Sequence, residues 1–253
     1  MDAYLARIGA TRDSSLAELQ ERHLLTVPFE NLDIHLGTRI VLDESLLLEK
    51  VVGRRRGGFC YELNGAFAAL LRSLGHDVKL LACRVFLPDR IGAPLDHVAL
   101  QVDDVWLCDV GFGRFAMRPL RLDSREDQVD PSGVFRLHDT EDGDIDVHQN
   151  GEPQYRLEPR ERTLDQFIPT CWWMQTAPES HFLKEPMCTI ALPDGRITFA
   201  GTKLIRTSGD SREETPVDDV PAVLRKYFGV ELPHTDFRQK SASGLLPEPT
   251  LPV

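Results

Sequence analysis

Up to about residue 75, the apolar positions of the chain recur at the three- to four-residue spacing of amphipathic helices. Ser15 and Glu18 form a capping-box pattern at the start of one such segment. Asp43 is placed to cap a second segment, and a third begins after the glycine pair 57–58 and runs to about Ser73. The N-terminal part of the chain is therefore predicted to be helical.

From Val78 onward, short segments rich in β-branched and aromatic residues replace the helical pattern and predict strands. The predicted strands are 78–86, 97–102, 106–110, 155–157, 187–192, 196–199 and 203–207. The acidic, turn-rich segment 123–153 is interpreted as a solvated excursion, and 222–227 as a last helix that ends at Gly229. The tail 241–253 is expected to be loosely held. This order indicates helices, then an antiparallel sheet or barrel, then a mixed C-terminal part.

Composition and charge narrow the class of protein. The 253 residues are 42% hydrophobic and 27% charged, which is typical of a soluble globular protein. The net charge of −11 argues against a nucleic-acid partner, because phosphate backbones are bound by basic surfaces. The sequence shows neither a secretory signal nor an apolar run that approaches a membrane span. We therefore expect a cytoplasmic protein without a membrane partner.

The cysteines favour neither a disulfide framework nor a metal site. The five are scattered and never form a CxxC pair, so we expect no metal and interpret most of them as buried apolar residues. Cys60 differs, because it follows three arginines and two glycines at the predicted start of a helix. A helix N-terminus and nearby arginines both lower a thiol pKa, which favours the nucleophilic thiolate. The alternative is a buried cysteine within an amphipathic helix.

A thiolate nucleophile needs a base, and the base needs an orienting acid. His97 begins one predicted strand, and Asp109 lies near the end of the next. A two-residue hairpin loop would point these side chains to opposite faces of the sheet. An odd loop of residues 103–105 pairs Val102 with Trp106 and brings His97 and Asp109 to the same face. A Cys-His-Asp triad therefore predicts an odd loop or a bulge here.

At these positions the sequence resembles a known family. Segment 56–64, RGGFCYELN, resembles the nucleophile motif of the arylamine N-acetyltransferases. Segments 28–33, 96–98 and 109–113 resemble further signatures of that family in the same order. A weaker likeness runs from segment 178–182 to segment 228–230, so the resemblance covers nearly the whole chain.

The resemblance implies an α+β fold with an N-terminal helical bundle, a central antiparallel β-barrel and a C-terminal α/β lid, around a papain-like Cys-His-Asp core. The corresponding domains are 1–75, 76–180 and 181–253. It also implies acetyl-CoA as donor and a ping-pong reaction through a Cys60 thioester. The acceptor would be the nitrogen of an arylamine, a hydrazine or an arylhydroxylamine.

The same resemblance suggests roles for residues around the triad. Glu30 and Arg56 are expected to form an ion pair that braces the loop before Cys60. The residues expected to contact substrate are Phe29, Phe59 and Phe112, and those expected near the coenzyme are Gly111 and Gly113.

Other functions stay open at this level. The same triad serves amide synthases that close macrolactams of the ansamycin type from a polyketide on a carrier protein. A thiol hydrolase, in which water resolves the acyl-enzyme, and a binding module without catalysis are further alternatives. Trp172 and Trp173 depart from what we expect of the family and are interpreted as core residues, which leaves the acceptor open.

Overall fold

The computed structural model describes residues 1–235 and Phe237, so the tail 241–253 lies outside the described residues. The α-helices are α1 (Asp2–Ile8), α2 (Leu16–Thr26), α3 (Leu32–Leu36), α4 (Glu44–Leu48), α5 (Cys60–Ser73), α6 (Ile168–Thr176) and α7 (Val220–Val223). A π-helical turn, Glu49–Gly53, continues α4, and another, Leu224–Phe228, continues α7 to the left-handed Gly229. None of the helices in the described part of the chain is both long and apolar enough to cross a bilayer.

The predicted helix starts are confirmed by their caps. The Ser15 hydroxyl accepts the Glu18 N–H, and the Glu18 carboxylate accepts the Ser15 N–H, which forms the reciprocal capping box of α2. The Asp43 carboxylate accepts two backbone N–H groups at the start of α4. Helix α5 is buried around most of its circumference, and Leu63, Phe67 and Leu70 have no exposed surface. It is therefore the central helix of the N-terminal core.

Two antiparallel sheets follow. The strands are β1 (Phe29–Glu30), β2 (Val78–Val85), β3 (His97–Val102), β4 (Trp106–Cys108), β5 (Leu120–Arg121), β6 (Gln128–Asp130), β7 (Gly133–Asp139), β8 (Ile145–Gln149), β9 (Glu152–Arg162), β10 (Met187–Leu192), β11 (Gly195–Ala200), β12 (Lys203–Ser208) and β13 (Ser211–Pro216). The larger sheet has eight strands in the order β5-β4-β3-β2-β9-β8-β7-β6. Its edges meet through Gln128, whose Oε1 accepts the Arg121 N–H at 2.6 Å. The sheet is thus a nearly closed barrel, and the α+β fold is confirmed.

The smaller sheet combines one strand from the N-terminal part of the chain with four strands from the C-terminal part. Its five strands run in the order β1-β10-β11-β12-β13, and Phe29 of β1 lies opposite Thr189 of β10. One face of this sheet packs its apolar residues against Leu224 and Phe228 at the C-terminal helical segment. Strand β1, which lies between α2 and α3 in the N-terminal part of the chain, is therefore an edge strand of the C-terminal sheet.

The interpretation of 123–153 as a solvated excursion is wrong. The segment contains β6, β7 and β8 of the barrel, and Phe135, Leu137 and Val147 are fully or almost fully buried. These residues alternate with polar residues such as Arg136 and His138 on the outer face. The charged outer face gives the segment its acidic composition, whereas every second residue builds the barrel core.

The β3–β4 hairpin has the predicted odd loop. Val102 pairs with Trp106, which leaves residues 103–105 as the turn. Asp103 and Asp104 both adopt positive φ, at 51° and 59°, and short polar side chains tolerate this region better than bulky ones. His97 and Asp109 consequently lie on one face of the sheet.

Candidate active site

Cys60 is the first residue of α5, and two glycines shortly before it, Gly57 and Gly58, lie where there is no room for a side chain. A Cβ atom on Gly57 would lie 1.9 Å from the Pro28 carbonyl oxygen. The Gly58 carbonyl accepts the Glu30 N–H at 2.9 Å, which ties the loop to the edge strand β1. These contacts fix the backbone that enters the helix, so the Cys60 thiol is held at one wall of a cavity with only 3% of the residue exposed.

Burial raises the pKa of the Cys60 thiol, and the positions of Cys171, Asp109 and Asp96 add to the effect, whereas the Tyr61 N–H opposes it. The prediction that the arginine run lowers this pKa is therefore wrong. Arg56 is neutralised by buried carboxylates, and residues 54 and 55 are exposed. The arginine run therefore does not by itself activate the thiol.

His97 and Asp109 form a buried pair beside the thiol. His97 Nε2 lies 2.7 Å from Asp109 Oδ2, and both side chains are almost completely buried. The other carboxylate oxygen, Oδ1, accepts the Gly111 N–H at 2.8 Å. The backbone carbonyl of Asp96, next to His97, lies 4.0 Å from Cys60 Sγ. The structure thus brings the three predicted triad residues to one cavity, which Cys60 and His97 line.

Asn64 completes the hydrogen bonding around Asp109, a role that was not predicted from the sequence. Its Nδ2 donates to Asp109 Oδ1 at 2.9 Å and to the Val98 carbonyl at 2.7 Å, while its Oδ1 accepts the Val110 N–H at 3.0 Å. Asn64 therefore ties α5 to both strands of the His-Asp hairpin. The signal was present, because a polar residue four positions after Cys60 lies on the same face of the helix.

Aromatic rings fix the plane of the imidazole. The ring centroid of His97 lies 5.1 Å from that of Phe112 and 5.3 Å from that of Tyr155. Burial raises the pKa of the Tyr155 hydroxyl, and the negative charge of Asp109 and the hydrogen bond of the hydroxyl with that carboxylate add to the effect. Tyr155 therefore stays neutral and contributes a packing surface.

A buried charge cluster lies behind the loop that precedes Cys60. Arg56 Nη2 lies 2.7 Å from Glu30 Oε1 and 2.8 Å from Asp33 Oδ1. Lys50 Nζ lies 2.8 Å from Asp33 and 2.7 Å from Glu62, whose other oxygen accepts the Phe59 N–H at the start of α5. With three carboxylates and two cations, the cluster has one acid in excess, and burial raises the pKa of Glu62 to about 7. Lys50 was missed because a lone lysine in a sequence is normally a surface residue.

The cavity in front of Cys60 has a volume of about 960 Å³ and lies between the barrel, the smaller sheet and α6. Of the residues predicted to contact substrate or coenzyme, four line it: Phe29, Gly111, Phe112 and Gly113. Phe59 does not, because it is fully buried against Tyr61 and Phe182, so its predicted substrate contact is replaced by a packing role.

The interpretation of Trp172 and Trp173 as core residues is wrong, because both side chains on α6 are exposed. Trp172 is 37% exposed and packs under the Arg39 guanidinium, whose carbon lies 4.9 Å from the ring centroid. Trp173 is 40% exposed and lines the cavity together with Met174. In the described part of the chain, the acids, histidines and cysteines form no group of three or more that could hold a metal ion.

Comparison with known proteins places most of the chain in one family. A family model described as N-acetyltransferase matches residues 14–237. The arylamine N-acetyltransferase of Escherichia coli is 34% identical over 91% of this chain and 88% of its own. The arylamine N-acetyltransferase / N-hydroxyarylamine O-acetyltransferase of Salmonella typhimurium is 33% identical over the same shares.

Solved structures agree with the sequence matches. The arylamine N-acetyltransferase of Nocardia farcinica superposes with a TM-score of 0.82 at 34% identity, covering 93% of this chain and 90% of that one. The enzyme of Mycobacterium marinum in complex with CoA gives a TM-score of 0.81 at 31% identity, over 90% and 92% of the two chains. Fold and sequence therefore point to the same relatives.

Proposed function

Because the chain belongs to the arylamine N-acetyltransferase family, we propose that it moves the acetyl group of acetyl-CoA through a Cys60 thioester to an arylamine nitrogen. The observation that carries this mechanism is the 2.7 Å contact of His97 with Asp109 in the cavity that holds the Cys60 thiol. A nucleophile, a base and an orienting acid are the parts that acyl transfer by covalent catalysis requires.

In the first half-reaction, His97 acts as the base. His97 Nε2 is hydrogen-bonded to Asp109. The other ring nitrogen of His97, Nδ1, is therefore the one that takes the Cys60 proton. The thiolate attacks the thioester carbonyl of acetyl-CoA, and the bond from the acetyl carbon to the coenzyme sulfur breaks. The imidazolium returns its proton to the departing coenzyme thiolate, which leaves acetyl-Cys60 and free CoA.

In the second half-reaction, the acceptor nitrogen attacks the acetyl-Cys60 carbonyl. His97 takes a proton from that nitrogen, the bond to Sγ breaks, and the proton returns to the Cys60 thiolate. Backbone N–H groups at the start of α5 are the donors available to the carbonyl oxygen as it becomes negative. Nitrogen acceptors with an aryl or hydrazine group fit a cavity that Phe29 and Phe112 line.

The raised pKa of the thiol has a function in this scheme. Burial keeps Cys60 protonated until His97 removes the proton, so thiolate and imidazolium form together. Asp109 stabilises that imidazolium through its oxygen 2.7 Å from Nε2. Nucleophilicity therefore depends on the whole triad rather than on the isolated cysteine.

The Mycobacterium marinum relative solved in complex with CoA supports the choice of donor. Gly111 and Gly113 line the cavity, and a side chain on Gly111 would come within 2.7 Å of the Cys60 Cα. Because glycines have no side chain, the cavity wall beside the Cys60 thiol leaves space for the pantetheine arm of the coenzyme to reach the thiol.

Two-substrate steady-state kinetics with acetyl-CoA and aniline test the proposal. Ping-pong transfer predicts parallel lines in double-reciprocal plots, and Cys60→Ala should abolish turnover. Cys188→Ala is the matched control, because this cysteine is equally buried but lies in the core of the smaller sheet. Intersecting lines would contradict the thioester, since they indicate direct transfer in a ternary complex.

A further inference from the structure

Trp173 presents a half-exposed indole to the cavity in front of Cys60. It lines the cavity beside Met174, the next residue of α6. Its other neighbour, Trp172, has a similar exposure, but the Arg39 guanidinium lies over that ring. Among the described residues, neither a cation nor another aromatic ring stacks on Trp173. A large apolar surface that is open toward a cavity indicates a contact with a ligand.

Helix α6 holds this indole in a fixed position. On one side of Trp173, Thr170 Oγ1 donates to the Pro94 carbonyl at 3.3 Å. On the other side, Gln175 Oε1 accepts the Ile40 N–H at 2.7 Å, and Gln175 Nε2 donates to the Ile40 carbonyl at 3.2 Å. A side chain on an anchored helix is positioned more precisely than one on a loop. Trp173 is therefore a preformed part of the cavity wall.

A short chain of contacts connects Trp173 with the thiol. The carbonyl of Asp96 lies 4.0 Å from Cys60 Sγ, and Pro94, two residues earlier, accepts the hydrogen bond of Thr170. Trp173 follows Thr170 by three residues of helix, which advance about 4.5 Å along the axis. The indole is therefore a few residue lengths from the thiol, which is the scale of a two-ring acceptor rather than of a whole coenzyme.

We propose that Trp173 stacks on the second ring of an extended arylamine, which makes two-ring arylamines better acceptors than single-ring ones. This inference rests on the acetyl transfer proposed above. The first ring then lies toward Phe112, whose own ring contacts His97. Aromatic rings favour offset or edge-on contacts with one another, and an indole offers a large face for them. The flexible thioether of Met174 adapts to second rings of different shape.

The size of the cavity also favours an extended acceptor. In the ping-pong scheme CoA leaves before the acceptor enters, so the acceptor has the full volume of about 960 Å³. Pockets of about 300–1,000 Å³ hold drug-sized ligands, whereas aniline is a single ring. The adenine of the coenzyme could also stack on an indole, but it lies beyond the whole pantetheine arm when the thioester is at Cys60. The position of Trp173 therefore favours the acceptor.

The test compares 4-aminobiphenyl with 4-methylaniline, which share the amine and the first ring and differ in the second ring. Both acceptors are measured on the same protein, so a loss of folded enzyme cancels from the ratio of their kcat/KM values. Trp173→Ala should lower the ratio of 4-aminobiphenyl to 4-methylaniline by about 10-fold, because the second ring loses a stacking contact and apolar burial. Trp173→Phe should retain most of the ratio, because it keeps an aromatic ring.

Trp172→Ala is the matched control, because Trp172 is the neighbouring, similarly exposed tryptophan and does not line the cavity. Its ratio should equal that of the wild type. An unchanged ratio in Trp173→Ala, or an equal fall in Trp172→Ala, would overturn the proposal. So would a loss confined to kcat/KM for acetyl-CoA, which would assign the indole to the adenine of the coenzyme. Absence of turnover with 4-methylaniline in the wild type would instead refute the acetyl transfer itself.

Discussion

Asn64 Nδ2 donates to Asp109 Oδ1 at 2.9 Å, on the carboxylate whose other oxygen lies 2.7 Å from His97 Nε2. The asparagine is on the same helix as Cys60, so one side chain sets the position of the acid relative to the nucleophile. In the proposed mechanism it is a positioning residue, because it acts on the reaction through Asp109.

Asn64→Ala should lower kcat/KM with aniline by about 10- to 100-fold, because Asp109 loses a charge-assisted hydrogen bond and the Val110 N–H loses its acceptor. Steady-state kinetics and a urea unfolding curve measure activity and stability together. Gln20→Ala is the control, since this amide is equally buried and donates to the Ala116 carbonyl away from the site. Equal losses of stability with equal losses of activity in the two variants would show that Asn64 only holds the fold.

Gly111→Ala should lower kcat/KM by about 100-fold, the effect expected of a displacement of about 1 Å at a reacting group. The added Cβ would lie 2.7 Å from the Cys60 Cα. Because the clash is with backbone atoms, the chain at residue 60 or residue 111 would have to shift. Gly143→Ala is the control, because this glycine has positive φ but open space around it in the described structure. Wild-type activity in a folded Gly111→Ala protein, judged by circular dichroism, would refute the tight approach of the two segments.

The pH dependence of stability should reveal Glu62. Burial raises its pKa to about 7 in the folded protein, above the value of about 4.3 expected in the unfolded chain. The folded state then binds the extra proton, so this contribution to stability is present below the unfolded pKa and is lost as the pH rises through 7. The loss amounts to at most about 1.4 kcal/mol per pH unit between these two values.

Urea unfolding of the wild type and of Glu62→Gln between pH 5 and 8 measures this term. The free energy of unfolding of the wild type should fall relative to the variant as the pH rises. Glu18→Gln, a change at an exposed capping carboxylate, is the control and should lack this trend. A constant difference between wild type and Glu62→Gln would show that Glu62 does not change protonation in this range.

Local patterns predicted most elements because their signals are local. The caps at Ser15 and Asp43 and the odd loop of the β3–β4 hairpin depend only on neighbouring residues. The strands around Phe135 and Leu137 were missed because a one-sided barrel strand carries charge on every second residue, which resembles a solvated loop in composition. The alternation of apolar and polar residues, rather than the average polarity of the segment, was the signal that indicated strands.

The support around the triad could not be read from the chain in the same way. Lys50 and Asp33 meet only after α3 and α4 pack beside α5, and Asn64 gains its role from a hairpin more than 30 residues away. The prediction that the arginine run lowers the pKa of Cys60 was wrong for the same reason. Arg56, the one buried arginine of the run, is neutralised by carboxylates from the segment around β1. Spacing in sequence does not fix such long-range pairing.

Intact-protein mass spectrometry after mixing with acetyl-CoA, followed by addition of aniline, tests the central claim most directly. The account predicts a single acetyl adduct on the wild type, none on Cys60→Ala, and discharge of the adduct by the amine. Wild-type protein that gains no adduct, although Cys60 still reacts with iodoacetamide, would contradict transfer from acetyl-CoA through this thiol.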